Sequence, residues 1–243
     1  MTTTAPSDAA GDPFEALHAS LVELDLTSLA KGLSALLDQA ERDAPSFSEF
    51  LRRAIEIEAS ARLERKIARR VRCSRLGPLV TLDDFDFSCR PELSPHAVRE
   101  FLTCRFVDER RNLLLVGRPS TGKTTVAKAI GHAACRCLHS VLYVTMGEML
   151  EELFASRADH TFRRAFRRLV KPDLLVLDDA GFASLDRDAS TDLFRLVCAR
   201  YRKHSTLVVS NLPFKAWAEL LPSEPQAVAI VDRLIHQASI IRF

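Results

Sequence analysis

Gly117-Arg118-Pro119-Ser120-Thr121-Gly122-Lys123-Thr124 fits the pattern G-x-x-x-x-G-K-[ST], and its neighbours give that pattern mechanical meaning. Before it runs Asn112-Leu113-Leu114-Leu115-Val116, a short apolar run that reads as a buried strand. After it, Thr125-Val126-Ala127-Lys128-Ala129-Ile130 opens a helix with apolar residues at 126, 127 and 130. A glycine-containing turn between strand and helix lets backbone N–H groups and the positive end of the helix close around phosphates. Lys123 is then expected to reach the β- and γ-phosphates, and Thr124 to offer its hydroxyl to Mg²⁺. The loop residues Gly117, Arg118, Pro119, Ser120, Thr121 and Gly122, with Thr125 at the helix start, are expected to surround the same ligand. The stretch predicts a site for a nucleoside triphosphate.

Outward from this loop, apolar strands and helices alternate. The strands are read at 112–116, 141–144, 174–177, 206–210 and 239–243. Such alternation predicts an α/β fold, a parallel sheet covered by helices on both faces. The third strand, Leu174-Leu175-Val176-Leu177, runs into Asp178-Asp179. In a parallel sheet the C-terminal strand ends line the ligand crevice. Asp178 is therefore expected to help hold Mg²⁺ through water, and Asp179 to polarise an attacking water. That pair argues for hydrolysis over phosphate transfer, which leaves a small-molecule kinase as the weakest alternative.

Two further residues have double readings. Asn211 follows the fourth strand, where an amide could orient water or sense a γ-phosphate, or simply form a turn before Pro213. Arg233 lies in a helix expected to start near Pro225. It could make a surface ion pair, or reach into a neighbouring subunit's nucleotide as an arginine finger.

At 243 residues, 47% hydrophobic and 27% charged, the chain has the composition of an ordinary globular protein. No apolar run approaches the roughly 18–20 residues of a membrane span, and residues 1–13 read as a short disordered tail lacking the features of a signal peptide. A cytoplasmic location is expected, with the six cysteines reduced and no metal cluster among them.

The net charge of +2 hides an asymmetry. Residues 1–60 hold eleven acids and four bases, a charge of −7; residues 61–75 hold seven bases and one acid, a charge of +6. Residues 14–76 read as helical throughout, with a third helix over 47–71 entered through Ser46-Phe47-Ser48-Glu49. Gly77-Pro78 marks the boundary to the α/β part, 77–243. Arg62, Arg65, Lys66, Arg69 and Arg70 repeat at helical spacing, and with Glu64 the only acid among them they are expected to meet a phosphate backbone. Arg163, Arg164, Arg167 and Arg168 form a second basic set, on a helix whose Phe162, Phe166 and Leu169 are expected to face inward. Neither set resembles a base-reading code, so sequence-tolerant, salt-sensitive binding is expected.

The run from Phe85-Asp86-Phe87, through the loop and LLVLDDAG, to SNLPF and VDRLIH resembles the IstB-like transposition helper ATPases, of the AAA+ class and related to DnaC-type helicase loaders. The resemblance covers nearly the whole chain. It implies an AAA+ P-loop NTPase core with a five-stranded parallel sheet, preceded by a small all-α domain. It further implies ATP and Mg²⁺ as ligands, with residues 117–124 as Walker A, Asp178-Asp179 at the Walker B position, Asn211 as sensor I and Arg233 as a finger acting in trans. Phe85 would lie near the adenine. Implied partners are double-stranded DNA, the transposase of the same element and further copies of this chain, with nucleotide at their interfaces. The chain departs from the family at Asp179, where Glu is usual, and at Ser120, where Gly is common; it also stops at Phe243, before a C-terminal segment that many relatives carry. Two rival functions are a loader acting on a helicase ring and single-stranded DNA, and a DNA-binding scaffold gated by nucleotide with little hydrolysis.

Overall fold

The computed structural model describes residues 12–89, 93–181, 185–213, 216–217 and 221–243. Most of the tail expected over 1–13 lies outside them. The chain divides into two units, 1–66 and 67–243, so the division falls inside a helix and ahead of Gly77-Pro78.

The first unit contains α1 (Pro13–Glu23), α2 (Thr27–Asp43) and the first part of α3 (Phe47–Ser74). Asp12 caps α1 by accepting from Phe14 N–H at 3.0 Å, with Pro13 in the first turn, where its missing N–H costs nothing. Leu21, Leu29, Ala30, Leu33, Leu36 and Ala54 form the core of this unit. Buried among them is a charge, Glu58, only 4% exposed. Its Oε2 caps α2 by accepting from Ser28 N–H at 2.8 Å and Leu29 N–H at 3.1 Å, and its Oε1 takes Arg62 and Arg65, each at 2.9 Å. Burial pushes the Glu58 carboxyl up, but Arg62, the two backbone donors and Arg65 together outweigh it and bring the pKa to about 2.

The second unit is a parallel sheet with helices on both sides. Its strands are β1 (Leu113–Val116), β2 (Val141–Thr145), β3 (Leu174–Ala180), β4 (Ser205–Ser210) and β5 (Ser239–Arg242), in spatial order β2-β3-β4-β1-β5. The connecting helices are α4 (Pro95–Glu100), α5 (Arg105–Asp108), α6 (Lys123–Arg136), α7 (Met146–Ala158), α8 (Phe162–Val170), α9 (Arg187–Arg200) and α10 (Glu224–Ile235). Strand residues alternate between two cores. Leu113, Leu115, Leu174, Val176, Leu207 and Val209 face α6, while Leu114, Leu175, Leu177 and Val208 face α7, α8, α9 and α10. Because both faces are buried, the strands read as unbroken apolar runs instead of alternating ones.

β3 is longer than the expected 174–177. Thr145 pairs with Asp178, and the register against β4 shifts between Leu177 and Ala180, so both carboxylates stand within the strand's end. Arg200, 2% exposed, fastens the opposite end of the sheet. It donates to the carbonyls of Leu169, Val170, Pro172 and Ser205 and to Thr206 Oγ1, which ties the last turn of α8 to the start of β4.

Candidate nucleotide site

The loop after β1 turns sharply because two of its residues take left-handed backbone: Ser120 at φ +59° and Gly122 at φ +88°. For Ser120 this costs energy that glycine would avoid. Gly122 has a second constraint. The Phe85 ring lies against it so closely that a Cβ would find no room. Phe85 in turn packs edge-on against Phe87, ring centroids 4.8 Å apart.

Gly122 is also the N-cap of α6, so the first N–H groups of that helix have no intrahelical acceptor and point toward the loop. Lys123 is 4% exposed. Its ammonium donates to Gly117 O at 2.8 Å, Arg118 O at 2.6 Å and Thr121 Oγ1 at 3.3 Å. A cation is thereby held against the carbonyls of the loop, beside the N-terminus of α6.

Asp178 is 1% exposed and meets three donors: Tyr143 Oη at 2.6 Å on Oδ2, with Asp179 N–H at 2.8 Å and Thr124 Oγ1 at 3.3 Å on Oδ1. Burial and the neighbouring Asp178 push the Tyr143 phenol far up, so the hydroxyl keeps its proton and donates. Asp179 sits at φ +52°, and its side chain turns outward. Burial and the Asp178 charge raise its pKa, against the opposing pull of Lys123.

Pro119, Ser120, Thr121, Gly122, Lys123, Thr124, Thr125, Asp179, Val209 and Asn211 line one open cleft of about 450 Å³ at the C-terminal edge of the sheet. Asp178 joins it through Thr124. This arrangement combines amide donors, a lysine and a helix N-terminus for phosphate with two hard oxygen ligands and a second carboxylate. The oxygen donors of Thr124 and Asp178 suit Mg²⁺, which binds through one or two protein oxygens plus phosphate and water. Among the described residues no group of three or more His, Cys, Asp or Glu could hold a metal by itself.

A family model described as IstB-like ATP binding protein matches residues 19–243. The chain belongs to this family. It is 31% identical over 226 residues to a protein named for ATP binding in insertion sequence IS5376 of Geobacillus stearothermophilus, covering 93% of this chain and 90% of that one. It is also 31% identical over 223 residues to the corresponding protein of insertion sequence IS21 of Pseudomonas aeruginosa, covering 92% and 84%. In fold this IstB-like chain is similar to DnaI, with a TM-score of 0.58 at 23% identity over 67% of this chain and 90% of that one. It is similar also to AMPPCP-bound DnaA from Aquifex aeolicus, with a TM-score of 0.58 at 20% identity over 70% and 51%. The core is thus an AAA+ P-loop fold with a five-stranded parallel sheet, as the motifs imply, with a helical region ahead of it.

Other expected site residues lie elsewhere. Arg233, on α10, is half-buried; it donates to Ala229 O at 2.8 Å and stands 5.5 Å from the Phe194 ring centroid. Among the described residues it makes no ion pair and does not line the cleft. Arg163, Arg164, Arg167 and Arg168 are all exposed on α8, opposite Ala165 and Leu169, and among the described residues only Arg168 has an acid partner, Glu152 at 2.8 Å. In the first unit, Arg62 and Arg65 are engaged by Glu58, and Lys66 is exposed. In the second, Arg69 is exposed and Arg70 half-buried. Glu64 is the only acid within the basic run, but Glu58, four residues before Arg62, supplies intrahelical pairing to Arg62 and Arg65. Among the described residues no helix is long and apolar enough to cross a membrane.

Proposed function

We propose that this IstB-like protein binds ATP with Mg²⁺ in the cleft, hydrolyses it where protomers meet, and assembles on double-stranded DNA to stimulate the transposase of its insertion sequence. The observation that carries this reading is the convergence of Lys123, Thr124, Asp178, Asp179 and Asn211 on one cleft, in a chain whose relatives are named for insertion sequences and ATP binding.

In this reading the loop amides and Lys123 hold the β- and γ-phosphates, with Gly122 letting the backbone approach closely. Phe85, resting on Gly122, borders the nucleoside end. Thr124 and Asp178 hold Mg²⁺, which when bound neutralises charge on the phosphate oxygens. Asp179 accepts the proton of the attacking water, and Asn211 orients that water. A raised pKa suits a general base, since its strength as an acceptor rises with it.

Arg233 acts on a neighbour's nucleotide. The last turn of α10 lies beside Asn112, whose amide donates to Leu234 O at 3.0 Å, at the start of β1. The phosphate loop follows the other end of that four-residue strand, about 13 Å away along the sheet. Such separation from its own cleft supports a role between copies. Residues 14–76 act as the helical DNA- or partner-binding region, 77–243 as the ATPase, and Arg163, Arg164, Arg167 and Arg168 contact the DNA backbone. Arg62, Arg65, Lys66, Arg69 and Arg70 contribute further phosphate contacts. A bacterial cytoplasm is the setting this requires.

The test is duplex and single-stranded DNA binding with ATP, ADP or no nucleotide, followed by strand transfer with a transposase of an IS21-type insertion sequence. Nucleotide-dependent duplex binding and faster strand transfer are expected, with Arg233→Ala binding ATP normally but losing turnover and assembly. Preference for single strands with capture of a helicase would establish the loader instead. Duplex binding without hydrolysis, even with transposase present, would establish a scaffold.

A further inference from the structure

Asp178 is held unevenly. Its Oδ1 faces Thr124 and the N–H of Asp179, whereas the bond to Oδ2 comes from Tyr143, at 2.6 Å. Tyr143 stands in β2 opposite Val176, two residues before Thr145, which pairs with Asp178. Strand periodicity therefore puts Tyr143 and Asp178 on the same face of the sheet, the face that α6 covers. Along α6, Thr124 and Lys128 are four residues apart and so share one side of the helix. Thr124 meets Asp178, and Lys128 Nζ stands 4.9 Å from the centroid of the Tyr143 ring. Helix and strands thus grip one carboxylate and its phenol partner together.

We propose that Tyr143 is a positioning residue for the metal-holding carboxylate: its hydroxyl fixes Oδ2 of Asp178 and so keeps Oδ1 turned toward Thr124. The proposal rests on the reading of Asp178 and Thr124 as Mg²⁺ holders. An aspartate carboxylate rotates easily about its last torsion, where the energy wells are broad and twofold. A donor on one oxygen removes that freedom before the metal arrives. Outer hydrogen-bond partners of ligating carboxylates commonly alter metal affinity by about 10- to 100-fold when removed. Among the described residues no second side chain donates to Oδ2 in place of Tyr143. Tyr143 does not line the phosphate cleft, so it acts through Asp178 alone.

Tyr143→Phe deletes the hydroxyl and keeps the ring, its packing and its place beside Lys128. The readout is affinity for a fluorescent ATP analogue, measured on the full chain in EDTA and across a Mg²⁺ titration. We expect affinity in EDTA within about twofold of the parent and a Mg²⁺ half-saturation raised about tenfold or more. Asp178→Asn should abolish the Mg²⁺ enhancement, and adding Tyr143→Phe to it should change nothing further. Tyr143→His, which restores a ring donor, should recover part of the Mg²⁺ response. An unchanged half-saturation in Tyr143→Phe overturns the proposal. So does a loss of affinity equal in EDTA and Mg²⁺, the mark of a merely structural role. If Asp178→Asn itself keeps the parent's Mg²⁺ response, the assignment of the metal site is what fails.

Discussion

Thr124 Oγ1 donates to Asp178 Oδ1 across 3.3 Å, although 54 residues separate them in the chain. One belongs to the first turn of α6 and the other to the end of β3. The parallel sheet makes the meeting obligatory, since β1 and β3 finish at the same edge with β4 between them. The site is therefore a consequence of topology, and its chemistry can be tested residue by residue.

Asp179 should separate binding from turnover. Asp179→Asn is expected to leave ATP affinity within about threefold and to lower kcat about 100-fold or more, the usual scale for losing a general base. Asp179→Glu should retain activity, because the longer carboxylate reaches the same water. Burial and Asp178 raise the Asp179 pKa, so the acid limb of the rate profile should lie above that of an ordinary aspartate. A steady-state ATPase assay across pH checks all three statements.

Among the described residues, helix α8 keeps three of its arginines outside ion pairs, while Arg168 meets Glu152. Arg163, Arg164 and Arg167 are exposed and make no ion pair among the described residues. Replacing all three with alanine should weaken duplex binding and reduce the slope of log K against log salt by about 0.9 for each phosphate that is no longer neutralised. ATP affinity should not change. Fluorescence anisotropy at several salt concentrations measures both, and an unaltered salt slope would remove α8 from the DNA interface.

Glu58 makes the helical unit sensitive to acid. Its folded pKa, about 2, lies below the ordinary value of 4.5, so its contribution to stability is present above pH 4.5. That contribution is lost as pH falls from 4.5 toward 2. The stability difference between the parent and Glu58→Gln should therefore shrink over this window, as followed by circular dichroism during urea unfolding. A difference that stays constant from pH 6 to pH 2.5 would contradict the assigned ion pairs.

The strand runs and the phosphate loop were legible because a doubly covered parallel sheet writes itself as apolar blocks, and a phosphate turn demands glycine and lysine at fixed spacing. The end of β3 was less legible. Asp178 and Asp179 read as residues following a strand, since only the register against β2 and β4 shows that pairing continues past Leu177. Tyr143 gave no signal at all: a tyrosine in an apolar strand reads as core, and its partner lies 35 residues away. The pairing of Arg62 and Arg65 was hidden for a related reason. Their partner, Glu58, precedes the basic run, and its burial against the first turn of α2 depends on how three helices pack, which local charge counting does not see. Arg200 was also missed, because its five acceptors come from two separate segments, 169–172 and 205–206.

If residues 117–124 hold a nucleoside triphosphate through backbone amides and the Lys123 ammonium, the lysine must carry much of the affinity. Equilibrium titration with a fluorescent ATP analogue decides this, comparing the parent chain with Lys123→Ala after circular dichroism has shown both to be folded. Saturable binding by the parent and at least a 100-fold loss in Lys123→Ala, about 2.7 kcal/mol, is the expected result. Equal affinity in the two chains, or no saturable binding by the parent, would contradict it.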